Sequence, residues 1–256
     1  LSKRKTGALR KEQNRQTQQV NRNFYINETK TIDFNQENYK SKNRKPIELI
    51  PQSLNQENYI LALLDSEADI VVVSGPAGTG KTYLAMLAAI KALRQGQVDR
   101  ILLTRPAVAV DDEKHGFLPG DLNSKMEPWV RPLIDVLREF YSIKEITHML
   151  NEQIIEITPL AFCRGRNFKD SWVILDEAQN ATPSQIKMLM TRIGLGSKIV
   201  ITGDIEQTDR RTSDNGLLDL TNRLYNYPID GIKTCAFDVC DIRRHQIIEK
   251  VLSLYA

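Results

Sequence analysis

The sequence predicts an α/β fold: a mainly parallel sheet covered by helices on both faces, preceded by a basic N-terminal arm. Three observations predict it. From residue 69 onward, short β-branched runs alternate with helical stretches. The runs are apolar almost throughout, which marks strands buried on both faces. A glycine-rich turn, Gly75 to Thr82, joins the first run to the helical stretch that follows it.

Residues 1–45 are rich in Asn, Gln, Lys and Arg and poor in aliphatic side chains. Such a segment buries too little apolar surface to offset its chain entropy, so it is expected to be flexible, with residues 46–256 as the folded domain. Charge divides in the same way. The first 50 residues carry 12 Lys/Arg against 5 Asp/Glu, and the remaining residues are net acidic, within a formal total of +3. A basic polar arm suits phosphate neutralisation or simple solubility, and composition leaves both open. One short echo links arm and domain: Asn35-Gln36-Glu37-Asn38-Tyr39 recurs as Asn55-Gln56-Glu57-Asn58-Tyr59. Only the second copy runs on into an apolar helical pattern, Ile60, Leu61, Leu63 and Leu64.

The expected strands are Ile70–Val73, Arg100–Thr104, Ile154–Thr158, Trp172–Leu175, Lys198–Thr202 and Ile232–Phe237. The expected helices cover 80–95, 124–141, 183–193, 214–226 and 243–254. The helix at 183–193 has the clearest ends. Thr182 and Gln185 have capping-box spacing, Pro183 fits the first turn, and Gly194 ends the pattern. No run of 18 apolar residues is present, so no membrane partner is expected. The opening residues Leu1 to Lys5 lack a following apolar region and do not read as a secretory signal. Cys163, Cys235 and Cys240 match no zinc or redox spacing, and a cytoplasmic setting is expected.

Chemistry concentrates at the strand ends. Gly75-Pro76-Ala77-Gly78-Thr79-Gly80-Lys81-Thr82 fits G-x-x-x-x-G-K-[ST], between a buried strand and a helix. The glycines let backbone N–H groups turn around phosphate oxygens, and the helix N-terminus adds partial positive charge. Lys81 is expected to reach the β- and γ-phosphates of ATP, and Thr82 to ligate Mg2+. Trp172 to Leu175 reads as a second strand, ending in Asp176 and Glu177. Asp176 is expected to hold Mg2+, and Glu177 to take a proton from the attacking water. Two adjacent carboxylates favour hydrolysis over phosphoryl transfer, which argues against a small-molecule kinase. A third strand ends in Gly203-Asp204-Ile205-Glu206-Gln207. There Gln207 is expected to sense the γ-phosphate or position water, and Asp204 to couple that to loop movement.

With these residues in place, the chain resembles the PhoH family over roughly residues 50–255. The likeness lies in Thr104-Arg105-Pro106-Ala107-Val108, in Gly116-Phe117-Leu118-Pro119-Gly120-Asp121-Leu122, and in Pro159-Leu160-Ala161-Phe162 with Arg164-Gly165-Arg166. It continues through Val173 to Asn180 and Thr202-Gly203-Asp204, and ends near Arg244-His245. The resemblance implies a RecA-like P-loop NTPase core related to the first motor domain of superfamily 1 helicases. It also implies a cytoplasmic location, a link by name to phosphate starvation, and frequent occurrence in phage genomes. It gives Asn55-Gln56 a role at the adenine, with Gln56 reading the base edge. The sequence departs from the family pattern in its arm, in His115 where an apolar residue is expected, and in the added charge of Arg243. It shows no fused nuclease domain.

Motors of this class place each nucleotide between two such units, the second supplying an arginine to the γ-phosphoryl group. The sequence has room for one unit, so a homo-oligomer is expected, plausibly as a hexameric ring. Arg164, Arg166, Arg192, Arg211, Arg243 and Arg244 are the candidates for that arginine. The stretch 105–125, with Arg105, Lys114, His115, Phe117 and Lys125, suits either RNA or single-stranded DNA, or an oligomer contact. Two classes stay open: a nucleic-acid motor and an ATP-dependent switch or assembly protein without translocation.

Overall fold

The computed structural model describes residues 45–106, 131–207 and 215–242. In chain order the elements are α1 (Leu54–Leu64), β1 (Ile70–Ser74), α2 (Lys81–Arg94), β2 (Arg100–Arg105), α3 (Ile143–Asn151), β3 (Ile155–Pro159), β4 (Ser171–Leu175), α4 (Pro183–Met190), β5 (Lys198–Gly203), α5 (Gly216–Asn226) and β6 (Ile232–Ala236). Residues 131–138 are also helical. The arm up to residue 44, positions 107–130 of the stretch 105–125 and of the expected helix at 124–141, and the expected helix at 243–254 lie outside the described residues.

The described residues belong to two compact units. The larger holds residues 48–106, 159–207 and 215–242, and the smaller holds 45–47 and 131–158. In the larger unit five strands run in the order β2-β4-β5-β1-β6. Every neighbouring pair is parallel, with Val72 opposite both Ile201 and Thr234, and Leu102 opposite Val173. A parallel order with crossovers needs helices between strands, and burial on both faces needs apolar residues at successive positions. Both conditions are met. One sheet face presents Ile70, Val72, Val173, Leu175, Ile199 and Ile201 to a core shared with Ile186 and Leu189 of α4 and Leu217 and Leu220 of α5. The intervening residues Val71, Val73, Ile174 and Val200 are also buried, and α2 packs against β2, β4 and β5. The expected α/β fold with a parallel, helix-covered sheet is therefore what the chain forms.

Element ends shift by about a residue from the expected ones. Two helices stop three residues short: the one over 131–138, expected to run to 141, and α4. Its capping box forms as expected, Thr182 Oγ1 accepting from Gln185 N and Gln185 Oε1 accepting from Thr182 N. The helix stops at Met190 rather than 193, with Thr191 as its C-cap. The reason is tertiary: Phe168 N donates to Arg192 O at 2.8 Å, pulling the chain out of the helix toward an isolated bridge between Phe168 and Ile193.

In the smaller unit, α3 is a helix that periodicity alone passed over. Its start carries a capping box, Ser142 with Glu145, and Ile146, Met149 and Leu150 are its buried stripe. Among the described residues, no helix is long and apolar enough to cross a membrane.

Candidate functional site

Parallel strands put their C-terminal ends on one edge of the sheet, where ligands of open α/β folds bind. In the larger unit the ends of β1, β4 and β5 bring the three predicted motifs together. The loop after β1 begins at Gly75, with φ 148°. A Cβ there would lie 2.6 Å from both Cβ and O of Phe237, so only glycine fits. Gly78 and Gly80 also take positive φ, 86° and 83°. These turns deliver the chain to the start of α2. The helices α1, α3, α4 and α5 each begin with a side-chain cap from Ser53, Ser142, Thr182 or Asn215. At α2 the N-cap is Gly80, which offers none. The N-terminal amides of α2 are thus left for an anion that the dipole favours.

Lys81 is buried, and its Nζ donates to Gly75 O at 2.6 Å, Pro76 O at 2.7 Å and Thr79 Oγ1 at 3.4 Å. Thr79 is wholly buried and ties back to Pro76 O at 2.9 Å. Burial pulls the Lys81 ammonium below its ordinary pKa, opposed by the negative charges of Asp204, Asp176 and Glu177. Lys81 is thus a desolvated cation within the field of three carboxylates from two strand ends.

Thr82 Oγ1 donates to Asp176 Oδ1 at 2.7 Å, and Thr202 Oγ1 donates to the same oxygen at 2.8 Å. Asp176 N bonds Thr104 O at 2.9 Å, which anchors the end of β4 on β2. Thr82 and Asp176 thus present a hydroxyl and a carboxylate oxygen at one point, the hard donor set that Mg2+ takes. The residues present fit the ion, and Thr82 and Asp176 would hold it.

Glu177 stands next in the left-handed region at φ 53°, which is uncommon for a residue with a side chain. Arg105 Nη2 donates to Glu177 Oε1 at 2.5 Å and lies 3.8 Å from Asp176 Oδ2. Gln179 Nε2 donates to Glu177 Oε2 at 2.5 Å, while Gln179 Oε1 accepts from Asp204 N at 3.0 Å. Asp204 is buried, and its Oδ1 accepts from Glu206 N at 3.1 Å. Gln207 is exposed.

Gln56 is buried beside the loop. Its Nε2 donates to Thr79 O at 3.0 Å and its Oε1 accepts from Gln52 N at 2.8 Å. Both ends of the amide are therefore engaged with backbone. Tyr59, one turn on, packs edge-on against Phe237 and donates to Lys81 O at 3.3 Å. Its burial, with the charges of Cys235 and Asp176 adding to it, holds the phenol well above its ordinary pKa, so it acts as a neutral donor. Asn55 Nδ2 donates to Asp241 Oδ2 at 2.8 Å.

The structure thus brings Gly75, Pro76, Ala77, Gly78, Thr79, Gly80, Lys81, Thr82, Asp176, Glu177, Asp204 and Gln56 to one strand edge. Arg105, Gln179, Thr202 and Tyr59 join them without having been assigned these roles from the sequence. A polar residue at each end of β2 and β5 was the available signal. The partners were not legible, because β2 and β5 flank β4 only in the fold. Of the candidate arginines, Arg164 is exposed, Arg166 lies over the Phe168 ring at 5.1 Å, and Arg192 Nη2 donates to Thr191 Oγ1 at 3.3 Å. Arg211, Arg243 and Arg244 lie outside the described residues, as do Lys114, His115, Phe117 and Lys125.

Comparison with known proteins follows the same outline. The chain is 43% identical over 215 residues to a PhoH-like protein of Bacillus subtilis, covering 84% of this chain and 66% of that protein. It is 36% identical over 219 residues to Protein PhoH of Escherichia coli, covering 84% of this chain and 60% of that protein. The chain therefore spans about two thirds or less of these relatives' length. Among solved structures, the Pyrococcus furiosus Hef helicase domain overlaps 75% of this chain and 39% of its own at a TM-score of 0.43 and 14% identity. That likeness is too loose to bear on activity. Residues 48–256 match the family model of PhoH-like proteins, and so, on motif, site and match together, the chain belongs to the PhoH-like protein family.

Proposed function

We propose that this chain is an ATPase that works as a homo-oligomeric motor on RNA or single-stranded DNA. The observation that carries the hydrolytic part is the junction of Thr82, Asp176 and Thr202 on one carboxylate oxygen, with Glu177 directly beyond it. Thr82 and Asp176 would hold Mg2+, which would supply charge neutralisation to the phosphates. Lys81 leaves its own loop carbonyls and bonds the β- and γ-phosphate oxygens. Glu177 takes a proton from a water whose oxygen bonds to the γ-phosphorus. The bond from that phosphorus to the β–γ bridging oxygen breaks, and ADP and inorganic phosphate leave. Gln207, exposed beyond β5, is proposed to close on the γ-phosphate, and Gln56 to read the adenine once it lets go of Gln52 N.

An arginine from a second copy is proposed to complete each site, with a hexameric ring as the assembly. The basic arm supports a polyanionic partner. The test is the ATP hydrolysis rate of the full chain with and without single-stranded RNA and DNA, with native mass taken on the same sample. Stimulation by a strand supports the motor. Steady hydrolysis without stimulation or strand binding leaves the ATP-dependent switch instead. In the same assay Glu177→Gln is expected to keep ATP binding and lose at least about 100-fold in turnover.

A further inference from the structure

We infer that the basic strip formed by residues 164–169 and by Lys187 to Leu195 is the track on which this chain holds the phosphodiester backbone of a single strand. The inference rests on the motor reading above and gives that strand a place on the domain. The chain beyond residue 50 is net acidic, yet two of its segments contain no Asp or Glu. One is 157–169, with Arg164, Arg166 and Lys169; the other is 178–203, with Lys187, Arg192 and Lys198. The fold lays them side by side. Phe168 N donates to Arg192 O at 2.8 Å, Asp170 N to Leu195 O at 2.9 Å, and Ser197 Oγ to Phe168 O at 2.9 Å. The helical turn Leu160–Cys163, which delivers Arg164, packs on α4. Lys198 turns away to Leu63 O and Asp65 O, and Lys169 pairs with Asp170 at 3.5 Å.

Among the described residues, no carboxylate meets the side chain of Arg164, Lys187 or Arg192, and Arg164 and Lys187 are exposed. Arg192 is clamped at its root: its Nε is buried, and its Nη2 donates to Thr191 Oγ1 at 3.3 Å. Arg166 rests over the buried Phe168 ring at 5.1 Å. Guanidiniums restrained in this way lose little freedom on taking the two oxygens of a phosphate. Cations gathered with no acid between them repel one another, and a polyanion relieves that repulsion while releasing its own counterions. The basic arm of the same chain suits the same ligand, so strip and arm together favour a nucleic acid over an acidic face of another protein. Leu195, 83% exposed beside the arginines, offers apolar contact to a ribose or base. The strip also leads back to the carboxylate pair along one element. α4 follows the turn Ala178–Asn180, directly after Asp176 and Glu177, and its last turn carries Lys187. A strand held there bears on the helix whose other end adjoins those carboxylates. Arg164 and Arg192 are thereby assigned to the strand rather than to a neighbouring γ-phosphoryl group.

The test is fluorescence anisotropy of labelled oligouridylate and oligo-dT on the full chain over a salt series, with a thermal melt and a native mass for each variant. Arg164→Ala and Lys187→Ala, both at exposed positions, are each expected to lower the logarithmic salt slope by about 0.7, and the two combined with Arg192→Ala by about two. Arg192→Lys, which keeps the charge and loses the fork, is expected to hold the slope and weaken binding. Lys233→Ala removes an equal charge from the edge strand β6 and is expected to leave the slope as in wild type. Strand binding by wild type with a slope that stays put in the triple variant, or that falls as far in Lys233→Ala, overturns the strip alone. A drop in native mass with strand affinity per chain retained makes the strip a contact between copies, and overturns it as well. Absence of strand binding by folded wild type sinks the motor reading and the strip with it.

Discussion

At the scale of single residues, Lys81 carries the most specific consequence. Its three hydrogen bonds all go to its own loop, at 2.6, 2.7 and 3.4 Å. Replacing it with alanine removes a buried cation and leaves two carbonyls and a hydroxyl facing the phosphate path. Lys81→Ala is expected to lower turnover by at least about 100-fold, with retained hydrolysis refuting the site. The lowered pKa makes a second prediction. Burial depresses the free-protein value below 10.5, while bound phosphates favour the charged form and raise it again. Between the free-protein and the ATP-bound values, ATP binding therefore takes up a proton, and affinity falls as pH rises. Calorimetry in two buffers of different ionisation enthalpy reads that proton directly; equal heats across this range would exclude it. Cys235 is pushed up to about 11 by burial, which makes it a poor nucleophile at neutral pH.

At the scale of elements, the end of β5 shows how packing protects the site. A Cβ at Gly203 would lie 2.5 Å from Gln179 Oε1 and 2.7 Å from Leu217 Cδ2. Gly203→Ala is expected to cost about 1–3 kcal/mol of stability by overpacking. It should also lower kcat more than Thr182→Ala does, because it displaces the side chain that orients Glu177. Thr182→Ala removes only the cap of α4 and is expected to cost about 1 kcal/mol with turnover intact. Urea melts and rate measurements on the two variants separate these effects, and equal losses of rate would argue against a positioning role for Gln179. The seat of α1 is a further case. Ser53, Gln56 and Tyr59 bond across to the P-loop or cap their own helix within two turns, so the N-terminal half of α1 is tied to the P-loop.

At the scale of the molecule, the charge division between arm and domain remains the main pointer to a polyanion. Residues 1–45 concentrate basic side chains ahead of a net acidic body. Removing them is expected to flatten the salt dependence of strand binding, and an unchanged slope would deny the arm that role. If a second copy completes each site, mixing inactive Lys81→Ala chains into wild type should depress turnover more steeply than dilution alone. A linear decline would favour sites complete within one chain.

Much of the fold was legible before any coordinates. Apolar strand runs of four or five residues, each followed by helical spacing, point to a parallel sheet because the intervening helices supply the crossovers and cover both faces. The glycine loop was legible because positive φ and close backbone approach restrict the residue type at each position. Asp176 and Glu177 were legible because a buried strand rarely ends in two carboxylates without a ligand to meet. α3 was missed although Ser142 and Glu145 marked its start, since its nine residues give a short period to read. What only the tertiary structure decided is who meets whom across the strand order. Sequence neighbours share an element, but β2, β4 and β5 come side by side through crossovers of very different length. That order places Arg105 and Gln179 on the two oxygens of Glu177, and Thr82 and Thr202 on one oxygen of Asp176. The sequence determined that the chain has a glycine-rich P-loop motif and a pair of carboxylates at the end of a buried strand. The fold decided how that carboxylate is held, because hydrogen-bond partners are chosen by distance in space and not along the chain.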